Sequence, residues 1–311
     1  MSAAPGPTGR SVAVKIDGRE VSVPEGATLL SACREAEIPT PTLCFLETLA
    51  PVNTCRVCVV EVEGSRALVP ACSRPAEPGM VVSTDSERVR HSRKMVFEFL
   101  ASSVDMSLAD AEIHDWMEAY GADPGRYGVA AESVAQPPKV QDDLYVRDYS
   151  KCILCYKCVQ ACGVEAQNTF AIAVAGRGFD ARISTEYDVT LPDSACVYCG
   201  NCIGVCPTGA LIFKTEFDMR GEGTWDESRQ SVTRTVCAYC GVGCNLDLHV
   251  QDNRIVKVTS PLDHDVTSGH LCIKGRFGWA HVQAGLPDPA PAPDTGPGSS
   301  SGSPPDRRPA S

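Results

Sequence analysis

Seventeen cysteines stand in a chain of 311 residues. A thiol can pair as a disulfide or ligate metal. Met1 to Arg10 shows neither a charged segment leading into an apolar one nor a twin-arginine pair, so no export signal is visible. A cytoplasmic location is therefore the expectation, and a reducing cytosol keeps thiols reduced. That leaves metal ligation, and the cysteines fall in blocks that suit it. Cys33, Cys44, Cys55, Cys58 and Cys72 lie near the N-terminus, and residues 73 to 151 contain none. Cys152, Cys155, Cys158 and Cys162 follow, then Cys196, Cys199, Cys202 and Cys206. The last block is Cys237, Cys240 and Cys244, with Cys272 alone downstream.

The central blocks are near copies: Cys152-x2-Cys155-x2-Cys158-x3-Cys162, and Cys196-x2-Cys199-x2-Cys202-x3-Cys206-Pro207. This is the two-cluster bacterial ferredoxin run, in which the fourth cysteine of each motif ligates the other motif's cluster. Cys152, Cys155, Cys158 and Cys206 would hold one [4Fe–4S] cluster. Cys162, Cys196, Cys199 and Cys202 would hold the other. Three thiolates on one tight turn serve three irons of a cubane, and the fourth must arrive from elsewhere. Gly200 and Gly209 suit the close backbone approach of such turns. Zinc fits poorly, because structural zinc takes two well-separated cysteine pairs. The first motif carries Gly163 where the second has Pro207, a difference of turn and not of ligation.

The N-terminal set, Cys44-x10-Cys55-x2-Cys58-x13-Cys72, keeps the Cys-x2-Cys core and remote fourth ligand of plant-type [2Fe–2S] ferredoxins, with a longer first gap. Four cysteines also suit zinc, which stays open on spacing alone. Cys33 is left over and reads as a small buried hydrophobe within a helix.

The elements that must position these thiols follow from local pattern, and they give an α+β multidomain chain. Val12–Ile16 and Glu20–Val23 flank Asp17-Gly18, a hairpin signal. Residues 27–37 suit a helix stopped before Pro39. Val57–Val62 is a β-branched run that turns at Glu63-Gly64-Ser65 into a strand near Ala67–Val69, and Val81–Val82 adds another. This order fits a β-grasp domain over 11–84. Thr84-Asp85-Ser86-Glu87 reads as a capping box opening a helix over 85–101, with a second helix over 108–120. These form a spacer, 85–140. The twin-cluster domain takes 141–222, with Gly176-Arg177-Gly178 as a hairpin turn and not a phosphate loop. The last cysteine domain takes 230–286. From Pro287 onward 8 of 25 residues are proline, so 287–311 is expected to be disordered.

The N-terminal set resembles the [2Fe–2S] domain that opens complex I large subunits, iron hydrogenases and NAD-linked formate dehydrogenases. The last set resembles the [4Fe–4S] module that opens molybdenum or tungsten bis-pterin oxidoreductases, which implies a cluster on Cys237, Cys240, Cys244 and Cys272. In that family a lysine two residues after the last ligand helps electrons pass, and Lys274 holds the position. The order of modules, with Cys196-Val-Tyr-Cys-Gly200, Thr235-Val-Cys-Ala-Tyr-Cys-Gly241 and Gly269-His-Leu-Cys-Ile-Lys-Gly275, is similar to the N-terminal portion of NAD-dependent formate dehydrogenase alpha subunits. The resemblance implies one [2Fe–2S] and three [4Fe–4S] clusters. It also implies two partners: a catalytic subunit carrying molybdopterin, which this chain would not itself bind, and a flavin- and NAD-binding subunit. Relatives often carry a further cluster on His-x3-Cys-x2-Cys-x5-Cys. Here that region has His91 and His114 but no cysteine, so that cluster is expected to be missing.

The pterin-binding domains of that family have no counterpart before the Pro/Ser/Gly tail, so no catalytic residue is assigned. A split enzyme and a truncated product both suit this. The rival readings are a complex I or diaphorase-type hydrogenase subunit, and a zinc-stabilised scaffold without redox activity. The net charge of −11 argues against a nucleic-acid surface, and no apolar run reaches the roughly 20 residues of a membrane span. His249, His264, His270 and His281 show no clustered ligand spacing. His270, two residues before Cys272, is placed to hydrogen-bond near the third cubane; a loop histidine without a role is the other reading.

Overall fold

Hydrophobic alternation builds the first sheet. In the computed structural model, which describes residues 9–263 and 266–286, β1 (Ser11–Ile16) buries every second residue and β2 (Arg19–Pro24) buries Val21 and Val23. Asp17 (φ 47°) and Gly18 (φ 85°) are both left-handed, as a two-residue hairpin turn requires. The helix α1 (Leu29–Glu35) is shorter than the 27–37 expected, because the Thr28 side chain caps it by accepting from the Ser31 amide. Glu37 (φ 56°) then turns the chain away. The strands β3 (Val59–Val62), β4 (Val69–Pro70) and β5 (Val81–Ser83) complete a sheet of order β2-β1-β5-β3-β4, parallel only between β1 and β5. Cys33 is fully buried in this core.

Two helices, α2 (Glu87–Ser103) and α3 (Ala111–Ala119), form the spacer. The cap of α2 is Ser86, whose side chain accepts from the Val89 amide. This corrects the capping box read at Thr84, whose amide and hydroxyl both donate to the Asp17 carboxylate across the hairpin. Fully buried Arg93 ties α2 to both neighbours, donating to Tyr120 Oη at 2.6 Å and to the Val59 carbonyl at 2.9 Å. The α2–α3 core takes in Leu43 and Val57 from the first domain, with Cys55 and Ile153 packed against it. The spacer thus joins the first two cysteine domains into one packed body.

The twin-motif domain is built on β6 (Lys139–Val140), β7 (Tyr145–Arg147) and β10 (Leu211–Phe213), in the order β10-β7-β6. Each motif ends in a short helix, α4 (Lys157–Cys162) or α5 (Asn201–Gly204). Between them β8 (Ala173–Ala175) and β9 (Arg182–Ser184) form the hairpin expected around Gly176–Gly178. After α6 (Lys214–Gly221), a separate antiparallel sheet of β11 (Ser231–Val236), β12 (Asn245–Gln251) and β13 (Arg254–Thr259) carries the last cysteines. Then come α7 (Ile273–Phe277) and α8 (Trp279–Gln283). The expectations for His264, for 287–311 and for the first eight residues of the leader reading lie outside the described residues. Among the described residues no helix is long and apolar enough to cross a membrane.

Candidate metal centres

The first set assembles at the spacer side of its sheet. Cys44 follows α1, Cys55 and Cys58 lie on the loop entering β3, and Cys72 follows β4. Pairing of β3 with β4 brings Cys58 beside Cys72, with the Ala71 amide donating to the Cys58 carbonyl at 3.2 Å. The thiols of Cys55 and Cys72 act as donors toward Cys44, which holds Cys44 well below the usual thiol range. Donation to Cys44 and burial push Cys55 up, and donation to Cys44 and Cys58 pushes Cys72 up. All four predicted residues are therefore brought together. Cys44, Cys58 and Cys72 are buried and Cys55 is half-buried.

In the twin motifs the same backbone turn occurs twice. Leu154 (φ 51°) and Tyr156 (φ 63°) match Tyr198 (φ 55°) and Gly200 (φ 69°). This turn lets the Leu154 amide donate to Cys152 Sγ and the Tyr198 amide to Cys196 Sγ, each at 3.4 Å. Cys152, Cys155, Cys158 and Cys206 line one small cavity with Tyr149 and Ile183. Cys162, Cys196, Cys199 and Cys202 line a second with Tyr145 and Thr169. Each cavity thus takes three thiols from one motif and the fourth from the other. Burial, with neighbouring thiolates adding to it, pushes Cys155 up to about 12. Burial alone leads for Cys152, raised to about 11, and it drives Cys158 and Cys202 well above the ordinary value. Buried and half-buried thiols ringing a void, with amides aimed at sulfur, form a donor set that fits an iron–sulfur cubane, whose iron would supply the missing positive charge.

The third set is the most open. Cys237 is buried at the end of β11 and Cys244 is half-buried, but Cys240 and Cys272 are exposed. Burial, then the charges of Cys237, Cys272 and Cys240, raise Cys244, which marks the four as neighbours. Lys274, the second residue of α7, is exposed, as are Val236, Tyr239, Val242 and Ile273. His270 makes no hydrogen bond to a cysteine: both its ring nitrogens are buried without a partner. His91, His114 and His281 are exposed, and His249 Nε2 pairs with Thr259 Oγ1 at 2.9 Å.

The sets stand in a row linked by packing. Leu46 and Leu49, from the loop after Cys44, share a core with Cys152 and Cys158. At the other end Arg276 of α7 is fully buried against the second motif. It donates to Asn201 Oδ1 at 3.2 Å and to the Val258 carbonyl at 3.2 Å, while the Leu271 amide donates to Asn201 Oδ1 at 2.8 Å. Phe277 stacks on Tyr145 with ring centroids 6.1 Å apart. A Cβ on Gly200 would lie 2.8 Å from Arg276 Cγ, so glycine is what admits this contact. Arg276, Asn201, Tyr145 and Thr169 were invisible to spacing arguments. The partners of Arg276, Asn201 and Tyr145 lie across the fold, and Thr169, seven residues after Cys162, sits in a loop that no spacing rule reads.

The chain matches three family models in the order of its cysteine sets. These are a 2Fe-2S iron-sulfur cluster binding domain (residues 9–87), a 4Fe-4S dicluster domain (residues 151–210) and a molybdopterin oxidoreductase Fe4S4 domain (residues 230–284). It is 35% identical to the alpha subunit of an NADPH-Fe(3+) oxidoreductase of Geobacter sulfurreducens, over 88% of this chain and 32% of that protein. It is 28% identical to a formate dehydrogenase-like protein of Staphylococcus haemolyticus, over 87% of this chain and 31% of that one. The chain therefore spans about a third of the length of these relatives. Among solved structures, a chain of an NAD+-reducing [NiFe]-hydrogenase superposes with a TM-score of 0.57 at 26% identity, covering 66% of this chain and 88% of that one.

Proposed function

Because the chain belongs to the family of iron–sulfur subunits of NAD(P)-linked oxidoreductases, formate dehydrogenase-like proteins included, we propose that it is a four-cluster electron relay. One [2Fe–2S] cluster would be held by Cys44, Cys55, Cys58 and Cys72. Three [4Fe–4S] clusters would be held by the crossed sets Cys152/Cys155/Cys158/Cys206 and Cys162/Cys196/Cys199/Cys202, and by Cys237/Cys240/Cys244/Cys272. The observation that carries the reading is the pair of cavities, each ringed by three thiols of one motif and one of the other. Such clusters take up and release single electrons with little rearrangement.

The chain's own side chains perform the rest. Leu46, Leu49 and Ile153 exclude water between the first set and the twin motifs. Arg276, Phe277 and Gly200 keep the second motif and α7 in contact. The open face around Cys240, Cys272 and Lys274 is read as the docking side for a catalytic subunit carrying molybdopterin and acting on formate, with Lys274 set between the last cluster and the pterin. A flavin- and NAD-binding subunit would dock at the Cys44 end. The likeness to the hydrogenase chain favours a second reading, a diaphorase-type hydrogenase subunit, which shares that NAD-side partner. The third domain, matched by a molybdopterin oxidoreductase model, supports the pterin reading over it.

Anaerobic purification with iron and sulfide analysis tests the proposal. The expected content is about 14 iron atoms per chain, from one two-iron and three four-iron clusters. A colourless, zinc-loaded protein without an EPR signal on reduction refutes it. Cys206→Ala should disturb the cluster held by Cys152, Cys155 and Cys158; a loss confined to the Cys196/Cys199/Cys202 cluster overturns the crossed assignment.

A further inference from the structure

The two cavities of the twin motifs share their backbone turns but differ in the hydroxyls that face them. Tyr145 Oη lies 3.0 Å from Cys196 Sγ, and Thr169 Oγ1 lies 3.4 Å from Cys162 Sγ. A ligating cysteine is a thiolate without a proton, so in both contacts the hydroxyl must donate. The first cavity has a tyrosine too, but Tyr149 points its hydroxyl elsewhere, accepting from Arg147 Nη1 at 3.5 Å. Among the described residues, the side-chain hydroxyl nearest a thiol there is Thr208, 3.9 Å from Cys206 Sγ. Cations stand near both cavities, and fully buried Arg147 lines the second one. Lys157 stands near Cys155 and is half-buried, whereas Arg276 stands near Cys199 and is fully buried, hence less screened.

We infer that Tyr145, assisted by Thr169, raises the reduction potential of the cluster on Cys162, Cys196, Cys199 and Cys202 above that of its twin. Reduction adds one electron and no proton, and the added charge spreads onto the sulfurs. A donor aimed at sulfur stabilises the reduced form more than the oxidised one, and hydrogen bonding to sulfur is a lever on cluster potential. Burial strengthens the effect, since Tyr145 is 2% exposed and the local dielectric is low. Tyr145 also stacks on Phe277, which follows the last cysteine set by a single turn of helix. The tuned cluster is thus the one facing the proposed pterin side, where it would serve as the acceptor nearest that end of the row.

This inference rests on the cluster reading above, and the two fail separately. Absence of iron–sulfur signals in the unaltered chain refutes the reading, while the midpoints decide the tuning. The experiment is a potentiometric EPR titration of the full chain, with the two signals assigned by Cys155→Ser and Cys199→Ser. Tyr145→Phe keeps the ring and removes only the hydroxyl. It should lower the reduced-to-oxidised ratio of the Cys199 cluster about tenfold at fixed potential, equal to about 59 mV for one electron. Its twin should stay in place. Thr169→Val should move the same cluster in the same direction by less, and Thr208→Val should move neither. An equal shift of both clusters, or no shift with iron retained, overturns the inference. Should Tyr145→Phe fail to hold iron, an unmoved midpoint in Thr169→Val overturns it and a lowered one supports it.

Discussion

Gly200→Ala tests how the second cysteine motif and the last domain are joined. Gly200 sits at φ 69°, where a residue with a Cβ loses about 1–2 kcal/mol. The added carbon would lie 2.8 Å from Arg276 Cγ and 3.1 Å from two carbons of the Phe277 ring. Optimal carbon contacts fall near about 3.5–4.0 Å, so overpacking adds about 1–3 kcal/mol. Arg276 cannot withdraw without giving up its bonds to Val258 and Asn201 in a site where it is fully buried. The total is about 2–5 kcal/mol, which lowers the melting point by roughly 5–15 °C for a body of this size. Gly243→Ala is the internal control. It has the same φ of 69°, but its Cβ would meet only Val236 Cγ1, at 3.9 Å, so the strain of about 1–2 kcal/mol stands alone. Anaerobic thermal melts of iron-matched proteins, with limited proteolysis between residues 222 and 230, read both stability and release of the last domain. Equal melting losses for the two variants, with no added cleavage in Gly200→Ala, refute the argument.

Two further outcomes follow from buried groups. Arg93→Met strands the Tyr120 hydroxyl and the Val59 carbonyl, both now served by the guanidinium; unfolding of the N-terminal half in denaturant should become easier by about 2–4 kcal/mol, and a change below about 0.5 kcal/mol contradicts the role given to it. The metal-free chain should be alkali-labile. Burial raises Cys152 to about 11 and Cys155 to about 12, so the folded state binds these protons more tightly than the unfolded chain, whose thiols titrate near about 8.5. Stability is then fully present below that pH and falls as pH climbs toward 11 and 12. Melting followed by circular dichroism should drop by about 2–4 °C for each kcal/mol lost. The metal-loaded chain, whose thiolates carry no proton, should not show it.

Much of the architecture was legible because its signals are local. Cys-x2-Cys-x2-Cys states its own purpose, and Asp17-Gly18 specifies a turn that needs two left-handed residues. The exchange of Cys162 and Cys206 between the twin sets was suggested by a repeat pattern, not by a contact, and each of the two lines the other motif's cavity. Where competition is long-range, local reading failed. Thr84 looked like a cap until Asp17, 67 residues away, claimed its donors. Tyr145 reaches Cys196 across 51 residues and Arg276 reaches Asn201 across 75, distances at which no periodicity in a single sequence speaks. The histidines were read more plainly: His91 and His114 are exposed side chains in a spacer without a cysteine.

The exchange of one thiol between the twin motifs has an evolutionary corollary. A repeat that arose by duplication usually stays divisible, so either copy can later be lost or shuffled into another gene. Here each cavity draws on both copies, so a single copy would leave three thiols around an unfinished ring. The pair must be inherited whole. Mutation is freer between the copies than within them. Between them only the β8–β9 hairpin turn, residues 176–181, is free to vary in length, because Thr169, Ile172, Ile183 and Leu191 on either side line the cavities.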